Sequence, residues 1–289
     1  MPANFNLKDT FMKVNIAKSS GFCFGVKRAI KIALETGDKN SSVEMLGDIV
    51  HNEDVTKQVQ EKGIKKVTRL TEGKGKTLLI RAHGAKKRTY LKAAELNYKI
   101  VDATCPMVTE IHNIAQNMEQ NGYRVIIIGD KNHAEVKGIA GQLSGEAIII
   151  SSKESIPYLK IKDIRKAAIV IQSTQTIENV EEIHEALKAH IPELKFFNTI
   201  CKTTTSKQTE IKTLPLENDV IIIIGSKTSA NTNRLFQISK SLNDKTYQVM
   251  SEKEIDPDWF KDAKSVGVSA GASTPDEAIK NVVQYLQNV

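Results

Sequence analysis

Cysteine, aromatic residues and long apolar runs are all scarce in this 289-residue chain. Aromatic residues make up 5% of the sequence, and cysteine occurs only three times. The longest purely aliphatic runs, such as Val220–Ile224, are far too short to cross a bilayer. Three is an odd number of cysteines, which argues against a disulfide framework and leaves metal binding, catalysis or packing as their roles.

A secretion signal is also missing, because residues 1–19 contain no continuous apolar segment. We therefore expect a cytoplasmic protein with no membrane partner. The formal net charge of +7 would suit a nucleic-acid ligand. The basic residues are nevertheless interspersed with acidic ones, and neither a zinc-finger spacing nor an aromatic-rich sheet motif occurs. We expect no nucleic-acid partner and attribute the charge to binding of a small anionic ligand.

Short β-branched runs alternate with amphipathic segments along the chain, a pattern typical of α/β folds with mainly parallel sheets. The predicted strands are 13–17, 42–46, 77–81, 99–103, 124–128, 147–150, 168–172, 196–199, 219–224, 247–250 and 265–268. Helix-like segments follow most of them. The length is sufficient for two or three compact domains with buried cores.

The chain divides into thirds that share one layout of strand, cysteine, helix, strand and glycine-led polar loop. The spacing is constant, since 28 residues separate Cys23 from His51, Cys105 from His133, and Cys201 from Ser229. Self-similarity at a fixed spacing indicates repeated supersecondary units. We therefore predict three pseudo-repeated α/β lobes, 13–104, 105–199 and 200–289. Because ligands bind beyond the C-terminal ends of parallel strands, the lobes should point their cysteines and polar loops toward a common centre.

Cys23 lies between two glycines, where a strand-like run gives way to a helix-like one. A thiol at a helix N-terminus is expected to have a lowered pKa, because unpaired N–H groups and the helix dipole favour its thiolate. Such a cysteine suits a nucleophile or a metal ligand. A small buried hydrophobe in a tight turn is the alternative interpretation.

If the three thirds converge, Cys23, Cys105 and Cys201 supply three thiolates to one site, which suits zinc or an iron–sulfur cluster. A four-iron cluster usually takes four cysteines, so this set would leave one iron without a protein ligand. Three unrelated buried cysteines are the alternative.

Polar side chains in the strand-end loops form a candidate anion site, which we call the anion cradle. Its six residues are His51, His83, His133, Ser229, Asn231 and Ser273. Imidazoles, hydroxyls, an amide and helix N-termini suit an anion, although turn and cap chemistry alone would account for the polar residues of the third lobe. Glu135 follows His133 by two residues and is the acid best placed to deliver a proton. A surface ion pair with Lys137 is the alternative for Glu135.

These motifs closely resemble the LytB family of 4-hydroxy-3-methylbut-2-enyl diphosphate reductases. The matching segments are GFCFGVKRA at 21–29, VHN at 50–52, AHG at 82–84, DATCP at 102–106, HAEV at 133–136, TQT at 174–176, IC at 200–201, GSK at 225–227 with NTNRL at 231–235, and AGAS at 270–273. They cover nearly the whole chain in the order of the family, which makes the resemblance highly specific.

The resemblance implies a three-lobed fold around one central [4Fe-4S] cluster, held by Cys23, Cys105 and Cys201, with one iron lacking a protein ligand. It also implies that the anion cradle holds the diphosphate of a small allylic substrate, that Thr176 binds near the substrate hydroxyl, and that Glu135 donates protons. The implied reaction is the two-electron reductive dehydroxylation of (E)-4-hydroxy-3-methylbut-2-enyl diphosphate to isopentenyl and dimethylallyl diphosphates, the last step of the non-mevalonate isoprenoid route. An electron donor such as ferredoxin or flavodoxin is then required.

Three positions depart from the pattern of the family. Ala134 stands where a proline is usual, so the loop should be less rigid. Ala230 replaces the second serine before the asparagine of the last cradle loop, which removes one expected hydrogen bond. Lys207 replaces an arginine and can supply its charge but not its bidentate geometry.

Two other functions use the same residues. A non-catalytic iron–sulfur redox sensor would need an output surface such as a DNA-reading helix, and none is evident. A zinc-dependent hydrolase of a phosphorylated substrate would also use thiolates and an acid.

Overall fold

A computed structural model describes residues 12–288. Residues 1–11 and residue 289 lie outside the described part. The first group belongs to the stretch whose composition disfavours a secretion signal, and residue 289 is the last of the predicted third lobe. Among residues 12–288, no helix has both the length and the apolar character needed to cross a bilayer.

Strands and helices alternate along the chain, as the α/β pattern predicts. The strands are β1 (Lys13–Ile16), β2 (Val43–Leu46), β3 (Ile64–Val67), β4 (Thr77–Ile80), β5 (Lys99–Asp102), β6 (Arg124–Ile128), β7 (Ile148–Ile150), β8 (Lys166–Ile171), β9 (Glu193–Phe196), β10 (Val220–Ile224), β11 (Thr246–Val249) and β12 (Ser265–Ala270). The helices are α1 (Phe24–Lys39), α2 (Glu53–Glu61), α3 (Lys87–Glu95), α4 (Pro106–Gln120), α5 (Ala134–Ala140), α6 (Tyr158–Ile161), α7 (Ile177–Lys188), α8 (Lys202–Thr213), α9 (Ala230–Leu242) and α10 (Asp276–Leu286).

The strands form three four-stranded sheets, and every strand pair is parallel. The sheet orders are β3-β2-β4-β5, β7-β6-β8-β9 and β11-β10-β12-β1. The three orders are equivalent, which confirms the predicted fold of three repeated α/β lobes.

The last strand of each order leads directly into the cysteine of the next repeat. β5 precedes Cys105, and β9 precedes Cys201. In the third sheet the equivalent place is taken by β1, near the start of the described residues, which pairs with β12. β1 thus lies within the predicted first lobe, 13–104, but pairs in the third sheet, because the alternating pattern locates a strand and does not identify its pairing partner.

Both faces of each sheet are covered, which explains why the central strands are uniformly apolar. In β6, Ile126 and Ile128 pack in one core cluster, whereas Val125 and Ile127 pack in another on the opposite face. The residues of β10 alternate between two clusters in the same way. Rigid sheets thus support the loops at their C-terminal edges.

Candidate active site

The three cysteines occupy equivalent positions at the starts of helices. Cys23, Cys105 and Cys201 are the N-cap residues of α1, α4 and α8. Each backbone N–H donates to a carbonyl in the loop after the neighbouring strand of its sheet. The acceptors are Ala272 after β12 at 3.1 Å, Ala82 after β4 at 2.9 Å, and Ser173 after β8 at 3.0 Å. The same hydrogen bond therefore fixes all three helix starts, and the predicted position of Cys23 is correct.

All three thiols line one cavity of about 110 Å³. They are free and partly exposed. Gly25 allows two of them to meet at the first turn of α1. A Cβ atom at this position would overlap Cys105 Sγ and lie 4.0 Å from Cys23 Sγ. The convergence predicted from the repeat is thus present for the thiols.

Burial raises the pKa of the Cys23 and Cys105 thiols, and the neighbouring cysteines raise it further. Hydrogen bonds from backbone N–H groups lower the pKa but do not outweigh burial. The lowered pKa expected at a helix N-terminus is therefore wrong for the free thiol of Cys23. A coordinated metal deprotonates such thiols outright, so a metal centre would account for several thiols gathered at one buried place.

Three histidines lie together in the wall of the same cavity. The ring centroids of His51 and His83 lie 4.5 Å apart, and each lies 5.4 Å from the ring of His133. One ring nitrogen from each histidine lies within 4.8 Å of the other two. By geometry alone, these nitrogens could surround either a metal ion or an anionic oxygen group.

Polar atoms around the histidines are buried without a hydrogen-bond partner in residues 12–288. They are His51 Nε2, His83 Nδ1, and both amide atoms of Asn231. Ser229 caps α9 and Ser273 donates to the carbonyl of His51, and both also line the cavity. Buried polar groups without partners are costly, which indicates that this wall of the cavity is built to hydrogen-bond a ligand.

Burial lowers the pKa of all three histidines. The pKa of His133 falls to about 4, that of His83 falls well below its ordinary value, and that of His51 is also lowered. At neutral pH each ring is therefore uncharged and carries one N–H donor. His133 Nδ1 accepts a hydrogen bond from the backbone N–H of Glu135 at 3.2 Å, which assigns its proton to Nε2.

Glu135 is buried at 2% exposure, beside the cysteines and histidines. One of its carboxylate oxygens accepts from the backbone N–H of Ser173 at 2.6 Å, and the other accepts from Ser173 Oγ at 2.8 Å. Burial raises the pKa of Glu135, although the bonds from Ser173 and the charge of Arg234 oppose the shift. The alternative interpretation of Glu135 as a surface partner of Lys137 is thus wrong. Its buried carboxyl keeps a proton to higher pH than an exposed glutamate does.

Of the predicted site residues, Thr176 alone does not line the cavity. It is the N-cap of α7 and lies at the next turn of the chain. Ser173 and Thr174, from the same strand-end loop, line the cavity in its place. The sequence contains three hydroxyl side chains in this loop, but it does not indicate which of them line the cavity. Ala230, the departure from the usual serine, also lines the cavity.

Lys207 is buried within α8 at 1% exposure. Its ammonium donates to the carbonyl of Ser19 and, at 3.0 Å, to that of Ala270. Burial lowers its pKa to about 8. Lys207 therefore joins α8 to the loop before Cys23 and to the end of β12. The single ammonium of Lys207 donates a hydrogen bond to each of these two carbonyls, so the two-pronged geometry of an arginine is not required here.

Comparison with known proteins gives a consistent result. A model of the family "LytB protein" matches residues 14–287. A 4-hydroxy-3-methylbut-2-enyl diphosphate reductase from Campylobacter concisus is 39% identical, with 96% of this chain and all of that protein covered. One from Sulfurimonas denitrificans is 40% identical, with 96% and 99% covered.

Solved structures agree with these sequence matches. A structure of (E)-4-hydroxy-3-methyl-but-2-enyl diphosphate reductase, called the terminal enzyme of the non-mevalonate pathway, is 38% identical with a TM-score of 0.71. The match covers 96% of this chain and 100% of the chain in that structure. The E-1-hydroxy-2-methyl-but-2-enyl-4-diphosphate reductase from Plasmodium falciparum is 26% identical with a TM-score of 0.88, and the coverage is 94% and 87%.

Proposed function

Because this chain belongs to the LytB protein family and is an iron–sulfur oxidoreductase of isoprenoid synthesis, we propose that the cavity between its helix starts is where (E)-4-hydroxy-3-methylbut-2-enyl diphosphate is reduced. The substrate takes up two electrons and two protons, loses its hydroxyl as water, and yields isopentenyl or dimethylallyl diphosphate. The observation that carries the proposal is the convergence of three thiols and three neutral histidines on one cavity. The comparisons give no support to the redox sensor or the zinc hydrolase.

Cys23, Cys105 and Cys201 would hold one [4Fe-4S] cluster, with one iron lacking a protein ligand. The donor set supports this assignment, since three soft sulfur ligands from three lobes line one cavity and a Cβ at Gly25 would overlap one of them. When bound, such a cluster supplies electrons to the substrate and a Lewis acid beside its hydroxyl.

The anion cradle would bind the diphosphate. Asn231 Nδ2 is a buried donor without a partner, and His83 Nδ1 is another when it carries the ring proton, so both would donate to phosphate oxygens. His133 would donate from Nε2, because its Nδ1 is already an acceptor. Ser229 would add a hydroxyl, while Ala230 beside it offers none. The rest of the substrate would then extend into the cavity that the cysteines also line.

Glu135 would supply a proton to the departing hydroxyl. Its raised pKa keeps a larger fraction of the carboxyl protonated than in an exposed glutamate. Ser173 would orient the carboxyl by its two hydrogen bonds. Thr176, at the N-cap of α7 in the same strand-end loop, would bind near the substrate hydroxyl, as the family resemblance implies. Burial excludes bulk water, so the proton is delivered from the side chain.

An electron-donor protein such as ferredoxin or flavodoxin would complete the reaction in the cytoplasm. The cysteines are partly exposed, and the neighbouring Phe24 is 72% exposed, so the metal site would lie close to the surface. The net charge of +7 favours a donor with an acidic surface.

Replacement of each cysteine by serine tests the shared metal site. In Cys23→Ser, Cys105→Ser and Cys201→Ser we expect loss of turnover together with loss of bound iron and sulfide, because each thiolate serves the same centre. Ser206→Ala, an exposed change on α8, is the matched control and should retain both. Full turnover by any one of the three serine variants would refute a shared site.

A further inference from the structure

Arg81 follows β4 and lies beside the anion cradle without an ionic partner. Within residues 12–288 its guanidinium forms neither a hydrogen bond nor a salt bridge. The nearest acid that acts on it, Asp48, is already paired with Lys66 at 2.8 Å. The guanidinium packs over Gly47, where a Cβ atom would lie 2.7 Å from Nη1. A half-buried arginine thus lies against Gly47, and its charge has no ionic partner among residues 12–288.

Arg81 lines an open depression of about 480 Å³, which shares lining residues with the central cavity. The two spaces share His51 and His133, and Lys137 also lines the depression. Burial is the main cause of the lowered pKa of the cradle histidines, and the charge of Arg81 lowers it further.

The anion cradle itself has little positive charge. Its three imidazoles are neutral at neutral pH, and the other residues of the cradle are hydroxyls and an amide. Arg234, the other arginine that acts on His133, is neutralised by Asp130 at 2.9 Å. A diphosphate carries several negative charges, and burial without a counter-charge is costly. Arg81 is the half-buried cation beside the cradle that has no ionic partner among the described residues.

We propose that Arg81 is a further substrate-binding residue, which supplies the counter-charge for the diphosphate across the His51–His133 edge of the anion cradle. Arginine suits this role because it stays charged and presents a planar fork of donors to phosphate oxygens. The inference rests on the proposed position of the diphosphate and adds to it a cation that the cradle lacks. Arg81 acts on binding rather than on the chemical step.

Steady-state kinetics and competition by inorganic diphosphate test the proposal on the reconstituted enzyme. In Arg81→Met we expect KM and the inhibition constant of inorganic diphosphate to rise on the order of 10-fold or more, with kcat nearly unchanged. Arg81→Lys should recover most of the affinity. Arg88→Met removes the same charge from an exposed position of α3 and is the matched control. Higher salt should narrow the difference between Arg81→Met and the parent.

The two proposals fail differently. In one outcome, the inhibition constant of inorganic diphosphate is the same for Arg81→Met and Arg88→Met, whereas His83→Ala raises it. The diphosphate site would then stand and the role of Arg81 would be overturned. If His83→Ala also leaves competition unchanged, the proposed position of the diphosphate fails, and Arg81 fails with it. A fall in kcat at unchanged KM in Arg81→Met would likewise overturn a binding role. Circular dichroism and bound iron verify that each variant is folded and loaded.

Discussion

A methyl group on Gly25 would enter the space between two of the converging thiols. In Gly25→Ala the new atom overlaps Cys105 Sγ and lies 3.3 Å from Cys105 Cβ. The Cys105 side chain must therefore rotate away from the cavity or α1 must shift. Gly25 has helical backbone geometry in the first turn of α1, so alanine itself is compatible with the helix.

Two effects on folding oppose each other. Alanine gains up to about 1 kcal/mol of helix propensity over glycine. Overpacking costs about 1–3 kcal/mol, so the free energy of unfolding should fall by at most about 3 kcal/mol. The metal site should be affected much more, because a ligand displaced by about 1 Å can cost on the order of 100-fold in activity. Gly25→Ala should thus remain folded while bound iron and turnover fall.

The assay compares Gly25→Ala with Gly145→Ala after anaerobic reconstitution. Gly145 is exposed and has no positive φ, and its nearest atom to a new Cβ is Glu119 Oε1 at 3.3 Å. Urea unfolding, iron and sulfide per chain, and turnover are measured on both variants. Parental iron content and turnover in a folded Gly25→Ala would refute the close approach of Cys105 to α1 and the use of both thiols at one site.

Two further predictions concern buried charges. Glu135→Gln should bind the substrate with nearly parental affinity but turn over slowly. The carboxyl is protonated below its raised pKa, so turnover by the parent should fall as the pH rises through that pKa. Glu135→Gln should lose this pH dependence. If Glu135→Gln turns over at the rate of the parent across the pH–rate profile, Glu135 has no part in the mechanism. Lys207→Met should lower the free energy of unfolding by about 1–3 kcal/mol, because the carbonyls of Ser19 and Ala270 lose their donor, and Lys207→Arg should recover part of it. Unchanged urea midpoints in Lys207→Met would contradict that role.

The convergence of the site could be predicted from the sequence because it depends on topology. Parallel strands place their carboxyl ends at one edge of each sheet, so a repeated spacing such as that from Cys105 to His133 is enough to bring equivalent loops together. The buried strands were also recognisable, since β10 is a continuous apolar run. These features do not depend on how individual side chains turn.

Edge strands were harder to predict. β3 was missed because Lys65 and Lys66 are exposed in its middle, as is usual for a strand at the edge of a sheet. β9 was placed three residues too late, at 196–199, because the apolar pair Phe196 and Phe197 lies at its end rather than its beginning. The local pattern carries too little information where only one side of a strand is covered.

Side-chain orientation and depth of burial were not available from the sequence. Ser173 and Thr176 both carry a hydroxyl in the loop after β8. Thr176 is the N-cap residue of α7, and this depends on where that helix begins. The pKa of Cys23 depends on the balance between burial and N–H donors, which requires coordinates. Arg81 directly precedes the AHG segment of the first lobe, but the lack of an ionic partner for its guanidinium became visible only in the structure.

The most direct test of the account is anaerobic reconstitution of the unmodified protein with iron and sulfide, followed by reaction with (E)-4-hydroxy-3-methylbut-2-enyl diphosphate and a reductant. We predict a brown protein with iron and sulfide in equal amounts, and formation of both isopentenyl and dimethylallyl diphosphates. A colourless protein that binds zinc instead, or an iron-loaded protein that leaves the allylic hydroxyl in place, would contradict it.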